Sequence, residues 1–296
     1  MKRAVVTDST CDIPLDIRNE IDILSVVPLK INFAEESFVD GVDITAANFF
    51  DRLQEKGEMP STSQPAVGEF VSVYESLTAE YDEIFSIHLS GELSGTLRAA
   101  HTASQQIEGA SIKIFDSQSA SLGLGFMVLL VVKLLEQDRD WNEIMKVLED
   151  ARDSSILYFT VDDLTYLEKG GRIGKASALL GSILNFQPIL TVPGDEGEVI
   201  PAGKVRGKKR LQDEIVERVK DRTAKSKKVW LGIVYGAARE NAEDLKSALE
   251  AELSKQQLEF ITIRSIISPV LGCHTGPSVY GAVLLQGEFL PDDIYL

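Results

Sequence analysis

Cysteine and long apolar runs are scarce in this chain of 296 residues. Its two cysteines, Cys11 and Cys273, are too few for a disulfide scaffold and show no Cys/His spacing typical of a zinc site. The longest apolar run spans residues 123–132 and ends at Lys133, so it is shorter than the ~20 residues that cross a membrane. We therefore predict two buried thiols, no metal site, and a buried helix in place of a membrane span.

Basic residues are also few, with 30 lysines and arginines against 46 acidic residues and a formal charge of −16. This balance argues against nucleic acid or an anionic membrane as the main partner, because both select clustered positive charge. It leaves room for a small anionic ligand held by local donors. The opening MKRAVVTDST leads directly into a strand-like run without a signal-peptide pattern, so we expect a cytoplasmic protein.

Short β-branched runs alternate with helical patterns, which is typical of an α/β protein with parallel strands. Strands are predicted at 4–7, 23–32, 84–88, 112–115, 157–160, 229–235 and 260–266. Helices are predicted at 46–55, 67–79, 95–107, 122–136, 141–151, 211–222 and 240–253. The alternation predicts layers of helices packed on sheets.

The second half of the chain shows a different pattern. A turn at Pro193-Gly194 separates the strand-like runs 189–192 and 199–203, which predicts a hairpin. We therefore expect two α/β domains. The expected domains are residues 1–152, with a mainly parallel sheet, and residues 153–296, with a mixed sheet. A return of the C-terminal segment to the first domain stays open.

Two polar stretches lie where helices are predicted to begin. Thr62 and Ser63 precede Pro65 ahead of one helix, and Ser94-Gly95 opens the next. Helix N-termini carry unpaired N–H groups and a partial positive charge, so together the two could hold a carboxylate or a phosphate. The same residues are also ordinary helix caps, and both interpretations stay open.

His274 lies in the stretch LGCHTGPSVYG, after a strand-like run and between Gly272 and Gly276. A histidine there can donate to an anion, act as a base or simply support the structure. Asp8 and Asp12 follow the first strand, and no third metal ligand has a suitable spacing. We expect these two carboxylates to bond the amides of their own loop.

Basic residues gather at two places, Arg172 in LEKGGRIGK and the stretch GKVRGKKR at 203–210, which contains Arg206. They form either a solvated face or a docking and phosphate-facing patch. The chain contains neither GxGxxG after its first strand nor GxxxxGK[ST], so the sequence predicts no nucleotide cofactor.

Taken in order, these stretches resemble the DegV family, the fatty-acid-binding proteins of bacteria. The matching stretches are TDST at 7–10, TSQP at 62–65, SGELSGT at 90–96, DS at 116–117, LEKGGRI at 167–173, LNFQPIL at 184–190 and HTGP at 274–277. They cover nearly the whole chain. Two departures are Cys11, where the family commonly has serine, and Ser278, where it commonly has glycine.

The resemblance implies two α/β domains with a long-chain fatty acid, such as palmitate, bound between them. It implies that Thr62 and Ser94 hold the carboxylate, with Ser63 and Gly95 beside them and His274 close by as the catalytic residue. The acyl chain then occupies an apolar tunnel. Candidate tunnel residues, which suit an ordinary core equally well, are Ile31, Phe33, Leu122 and Phe126.

The resemblance also implies a partner, a separate kinase with its own ATP site, to which the bound carboxyl group is presented for acyl-phosphate formation. The chain itself then needs no cofactor and has no activity of its own. Arg172 and Arg206 are the residues expected to face the kinase and its phosphates, and His274 is expected to orient the attacking oxygen.

Two other functions are consistent with the same residues. One is a free-standing enzyme in which His274 is nucleophile or base and Asp8 or Asp12 orients it. The other is a sensor that binds lipid and reports to another protein. Chain length, unsaturation, oligomeric state and the presence of a kinase in the same cell are not determined by the sequence.

Overall fold

A computed structural model describes residues 2–56, 59–109, 111–181 and 186–292. The strands are β1 Arg3–Asp8, β2 Leu24–Val27, β3 Lys30–Phe33, β4 Glu36–Val39, β5 Ser61–Ser63, β6 Glu83–His88, β7 Ser111–Asp116, β8 Ile156–Thr160, β9 Gln187–Thr191, β10 Ile200–Val205, β11 Lys228–Tyr235, β12 Glu259–Ile266 and β13 Tyr280–Gln286. The helices are α1 Leu15–Asn19, α2 Ala46–Lys56, α3 Val67–Thr78, α4 Thr96–Ser104, α5 Leu122–Glu136, α6 Trp141–Ser154, α7 Thr165–Lys169, α8 Lys208–Thr223, α9 Arg239–Lys255 and α10 Pro269–Thr275.

Two sheets organise the chain, and they confirm the predicted α/β class. The first has the order β2-β1-β6-β7 and is parallel throughout. The second has the order β10-β9-β8-β13-β11-β12, in which β11 and β12 are parallel and the other neighbours antiparallel. The hairpin that was predicted around Pro193-Gly194 joins β9 to β10, and β13, antiparallel to both of its neighbours, also makes the second sheet mixed.

The predicted strand at 23–32 is broken into β2 and β3. Pro28 lies between them, and a residue without a backbone N–H cannot donate to a strand ladder. After the break, β3 leaves the first sheet and pairs antiparallel with β4 and β5, in the order β4-β3-β5. Strands β4, β5 and β13 were missing from the sequence prediction.

Side chains alternate between the two faces of each sheet, and each face packs on different helices. In the first sheet, Val6 and Ile84 pack with residues of α3 and α4, while Val5 and Phe85 belong to the core around α5. In the second sheet, Leu231 faces the core formed with α8 and α9, and its neighbours along β11 face α5. The order of layers is therefore helices, first sheet, α5, second sheet, helices.

Helix α5 is buried along nearly its whole length, which confirms the prediction for the apolar run at 123–132. It contacts β1 and β6 of the first sheet and β11 and β13 of the second. Within the described part of the chain, no helix is both long and apolar enough to cross a membrane. The apolar run is therefore explained by contacts with protein on all sides.

Close approach fixes glycine at two positions around α5. A Cβ atom on Gly125 would collide with the backbone carbonyl oxygen of Cys11, and one on Gly232 of β11 would lie 2.9 Å from Leu122 Cδ1. Phe126 and Trp230 also meet edge to face, with ring centroids 5.8 Å apart. The helix is thus held against the first sheet's loop on one side and the second sheet on the other.

The chain passes from one sheet to the other between Ser154, where α6 ends, and Ile156, where β8 begins. Near the C-terminus, α10 contacts α2, β3 and β5, whereas β13 returns to the second sheet. Of the LNFQPIL stretch, Leu184 and Asn185 lie outside the described residues.

Replacing Gly125 with alanine is expected to lower the free energy of unfolding by about 1–3 kcal/mol, because the new methyl group must displace the Cys11 carbonyl. Alanine is otherwise the better helix former. Gly68 in α3 is the matched control, since a Cβ atom there meets open space; Gly68→Ala is expected to raise stability by up to about 1 kcal/mol. Urea denaturation of both variants measures the difference, and equal effects would contradict this account of α5.

Candidate ligand-binding site

The described residues of the two sheets and α10 line a cavity with an empty volume of about 770 Å³, counting its open mouth. Its polar lining residues are Thr62, Ser94, Ser121, Arg172, His274 and Thr275. The remaining wall is leucine, isoleucine, valine, alanine and phenylalanine. The site is an apolar cavity with a small set of polar groups.

One face of α10 forms part of this wall. Val270, Leu271, His274 and Thr275 all line the cavity, and their i, i+4 spacing places them on one side of the helix. The structure corrects the prediction that His274 lies at a strand end, since the residues after Pro269 are helical. Proline at the first helical position and Ser268 as the N-cap start this helix, which the sequence prediction missed.

Thr62 lies on β5, and its hydroxyl oxygen is 2.8 Å from Nε2 of His274. Helix α3 begins at Val67 as predicted, but Thr62 belongs to a strand that pairs with β3 and does not form part of the helix N-terminus. Pro65 separates the two elements, since the residue before a proline avoids helical backbone angles. Thr62 and His274 are 212 residues apart in sequence and meet only because α10 packs on the small sheet.

His274 is held in its neutral form. Burial, with a smaller contribution from the nearby positive charge of Arg172, lowers the pKa of His274 to about 4. Nδ1 of the ring has no hydrogen-bond partner among the described groups, and a side chain on Gly170 would collide with it. We assign the ring hydrogen to Nε2, because the positive charge of Arg172 favours a lone pair on Nδ1 over an N–H at that atom.

This tautomer has a consequence for Thr62. If Nε2–H donates to the Thr62 hydroxyl oxygen, the hydroxyl hydrogen of Thr62 remains free to donate into the cavity. The pair then presents a donor, and a group that accepts hydrogen bonds is the natural ligand.

Ser94 and Arg172 complete the polar end. Ser94 Oγ accepts from the amide of Thr96, the first residue of α4, at 3.2 Å, although the N-cap position is Gly95, and Ser94 also lines the cavity. Arg172 donates from Nε to the Leu93 carbonyl at 3.0 Å and from Nη1 to the Gly170 carbonyl at 2.8 Å. The arginine therefore joins the Ser94 loop of the first domain to the turn after α7 in the second.

Three other residues predicted for the site are placed elsewhere. Ser63 is exposed and, by strand alternation, points away from Thr62. Gly95 does not line the cavity; a Cβ atom there would collide with the Gln64 side chain, so this glycine lets Gln64 lie over the start of α4. Arg206 is exposed, outside the cavity, with its guanidinium 4.5 Å from the centre of the Phe186 ring. The structure brings together Thr62, Ser94, Arg172 and His274, and leaves Ser63 and Arg206 apart.

Asp8 bonds an amide of its own loop, as the sequence indicated, whereas Asp12 bonds two distant segments of the chain. Asp8 accepts from the amides of Thr10 and Leu89 and lies 3.0 Å from Nδ1 of His88. Asp12 accepts from Ser121 Oγ at 2.5 Å and from the Ser268 amide at 2.8 Å. Burial raises the pKa of Asp12 to about 8.

A second histidine makes a chain that resembles a hydrolase triad. Ser86 Oγ lies 2.7 Å from Nε2 of His88, whose Nδ1 faces Asp8. All three side chains have no exposed surface, and Tyr74 is bonded to the same serine. A substrate cannot reach this serine, so the chain of bonds supports the ends of β1 and β6.

No three histidine, cysteine, aspartate or glutamate residues converge on a metal-sized gap anywhere in the described ranges. The candidate tunnel residues Ile31, Phe33, Leu122 and Phe126 are buried in the main core and do not line the cavity.

The sequence prediction missed most of the apolar wall. Val192 and Val199 flank the turn between β9 and β10 and both line the cavity. The turn residues Pro193 and Gly194 between them predicted a hairpin, but nothing in the sequence indicates which face of the hairpin is covered.

The chain was compared with known proteins. Residues 2–287 match the family model described as "Uncharacterised protein, DegV family". A DegV domain-containing protein of Staphylococcus aureus is 34% identical over 287 residues, which are 96% of this chain and 99% of that protein.

Solved structures of similar proteins share the fold. A DegV family protein from Thermus thermophilus, described by its fatty acid binding, has a TM-score of 0.90 and 35% identity, covering 97% of this chain and 100% of that one. DegV from Bacillus subtilis, described as a fatty acid binding protein, has a TM-score of 0.87 and 32% identity at the same coverage.

The lowered pKa of His274 predicts a pH dependence of stability. Between about pH 6.5 and pH 4 the unfolded chain binds a proton at this histidine and the folded chain does not, so the contribution to stability falls as the pH falls. Relative to His274→Gln, the unmodified protein is expected to lose about 2 kcal/mol over this window. The difference between variants is measured by urea denaturation, because Asp12 and Asp40, with raised pKa values, act in the opposite direction.

The matched control is His101→Gln, since His101 is exposed on α4. This variant is expected to follow the pH profile of the unmodified protein. A His274→Gln profile parallel to that of the unmodified protein would contradict a neutral, buried His274.

Proposed function

This chain belongs to the DegV family, and from that premise we propose that it binds a long-chain fatty acid in the cavity. The carboxylate is held by the hydroxyls of Thr62 and Ser94, with His274 behind Thr62. The acyl chain lies against the apolar wall. The observation that carries the proposal is the position of the Thr62–His274 pair at the lining of an otherwise apolar cavity.

Elementary energetics support a lipid in preference to a short acid. Each buried methylene contributes about 0.8 kcal/mol, so an acyl chain supplies most of the free energy of binding. The polar groups then fix orientation, since hydrogen bonds to a carboxylate add specificity where few other donors exist. The relatives from Thermus thermophilus and Bacillus subtilis, which are described as fatty-acid-binding, support the same ligand class.

His274 acts through Thr62 in this proposal. In the free protein the ring is neutral because of burial and Arg172. A carboxylate placed at the Thr62 hydroxyl raises the pKa of His274, because a negative charge favours the imidazolium. The ligand's charge is thus offset by Arg172 first and, at lower pH, by His274 as well.

We propose further that the bound carboxyl group is presented to a separate ATP-dependent kinase. A carboxylate oxygen attacks the γ-phosphorus of ATP, the bond to the β-phosphate oxygen breaks, and acyl-phosphate and ADP result. Arg172 beside the carboxylate and His274 behind Thr62 would stabilise the charge that develops on the transferring group. Arg206 lies outside the cavity and would contact the kinase.

A free-standing enzyme built on His274 has less support. The two carboxylates proposed to orient this histidine are engaged elsewhere, Asp8 with His88 and Asp12 with Ser121 and Ser268. Without an orienting carboxylate, a neutral histidine of low pKa is a weak general base at pH 7.

Removing the hydroxyls tests the carboxylate site. Thr62→Ala and Ser94→Ala are each expected to weaken binding of palmitate by about ten- to a hundredfold, because each removes a hydrogen bond to a charged group. Binding of methyl palmitate is expected to change little, since the ester carries no charge. Ser61→Ala is the control, because Ser61 is exposed on the same strand.

Isothermal titration calorimetry, and mass spectrometry of lipid extracted from the purified protein, provide the measurements. A protein that neither retains nor takes up any C14–C18 fatty acid would overturn the proposal.

Charge reversal at Arg206 tests presentation to a kinase. Arg206→Glu is expected to lower kinase-dependent acyl-phosphate formation by about tenfold through slower association, while palmitate affinity stays unchanged. Arg172 cannot separate the two roles, since it lines the cavity. Lys146→Glu, on α6 and away from the cavity, is the control. Unchanged turnover for Arg206→Glu would remove this residue from the docking surface.

A further inference from the structure

The turn between β9 and β10 closes one side of the cavity. Val192 at its start and Val199 at its end are buried and line the cavity. The turn belongs to the second sheet, whereas the loop that carries Ser94 belongs to the first domain. This turn, residues 193–198, meets the first domain at two places. A Cβ atom on Gly194 would lie 2.5 Å from the Arg152 carbonyl oxygen near the end of α6, and a second contact joins the turn to the loop of Ser94.

One buried hydrogen bond makes that contact. Ser90 Oγ donates to the carbonyl oxygen of Gly197 at 2.6 Å, across 107 residues of sequence. Ser90 has no exposed surface. Gly197 has a φ of +68°, and a Cβ atom there would lie 2.5 Å from Ser90 Oγ and 3.5 Å from Gln118 Cβ. Glycine at 197 thus allows both the turn and the close approach of the serine.

Ser90 is also the base of the loop that carries Ser94. Its carbonyl oxygen accepts from the amides of Leu93 at 3.0 Å and Ser94 at 3.1 Å, and its own amide donates to the Ser119 carbonyl at 2.9 Å. Arg172 reaches the same loop through the Leu93 carbonyl. One residue therefore connects the loop of the polar end with the turn that closes the apolar wall.

The turn has weaker restraints on its outer side. Lys175 pairs with Glu196 and, at 3.3 Å, with Glu198, but the lysine is largely exposed. Exposed ion pairs contribute about 0–1 kcal/mol and are screened by salt. These pairs also join two parts of the second domain, so they do not hold the turn to the first.

We propose that the Ser90 hydroxyl is a latch that keeps the 193–198 turn closed over the bound chain. Ser90 is a positioning residue: it sets how fast the ligand leaves, and it does not recognise the carboxylate. This inference rests on the proposed function, since it concerns retention of the fatty acid in the same cavity.

The first test measures release. Protein loaded with cis-parinaric acid, a fluorescent C18 fatty acid, is mixed with an excess of fatty-acid-free albumin, and the fall in protein-bound fluorescence gives the release rate. Ser90→Ala is expected to release the probe about tenfold faster, because the buried Gly197 carbonyl loses its donor. The preference for palmitate over methyl palmitate is expected to stay unchanged. Ser86→Ala is the matched control, since Ser86 is an equally buried serine with two hydrogen bonds outside the cavity.

A second variant separates the latch from a general loss of stability. Ser90→Cys combined with Gly197→Cys places two thiols where Cβ of residue 197 and the γ atom of residue 90 are close. The native Cys11 and Cys273 are buried and free. The oxidised double variant is expected to release the probe at least tenfold more slowly than its reduced form. Slower release from the oxidised form would show that the turn must move for the ligand to leave, and equal release from both redox forms would contradict the latch.

The outcomes distinguish the two proposals. Binding with the same release rate in the unmodified protein, in Ser90→Ala and in both redox forms of the double variant would overturn the latch and leave the proposed function standing. Failure of the unmodified protein to bind cis-parinaric acid or palmitate would overturn the proposed function and the latch together.

Discussion

The close packing of α5 between the two sheets is the constraint on which the other features depend. Its apolar surface contacts the first sheet on one side and the second on the other, and Gly125 and Gly232 allow both approaches. Interiors this dense behave as rigid bodies and leave few voids. Beyond the start of the helix, where Ala120 and Ser121 reach the wall, the loops of the two domains face each other around a cavity. The site exists because α5 fills the space between the sheets along its length, whereas no helix of the described ranges fills the space that precedes its first residue.

Burial decides which polar clusters can act on a ligand. Ser86, His88 and Asp8 have the bonding pattern of a catalytic triad, yet no solvent or substrate reaches them. Thr62 and His274 form a simpler pair, but they lie at a cavity. The same burial lowers the pKa of His274 and keeps the ring neutral, which leaves the hydroxyl of Thr62 as the donor. Hydrogen-bond geometry alone would have favoured the Ser86–His88–Asp8 cluster, which no ligand can reach.

A few side-chain hydrogen bonds at the rims of the sheets join the two domains. Asp12 bonds Ser121 and Ser268, Arg172 bonds the Leu93 carbonyl, and Ser90 bonds the Gly197 carbonyl. The bonds to Ser268, Leu93 and Gly197 each join a loop at the rim of one sheet to an element from the other half of the chain, whereas Asp12 and Ser121 both belong to the first half. Because the buried groups need their partners to offset the cost of leaving water, these bonds fix how the halves sit around the cavity.

The sequence by itself determined the α/β class, most strands and helices, the buried helix and the change of pattern in the second half. These features depend on local periodicity and on proline and glycine, which act over a few residues. The motifs that resemble the family also indicated Thr62, Ser94, Arg172 and His274. Only the tertiary structure decided that Thr62 lies on a strand, that His274 lies on a helix, and that Ser63 and Arg206 lie away from the cavity. Strand β5 pairs with β3, and His274 of α10 reaches Thr62 across 212 residues. Neither contact leaves a local signal, because pairing partners and burial are set by distant parts of the chain.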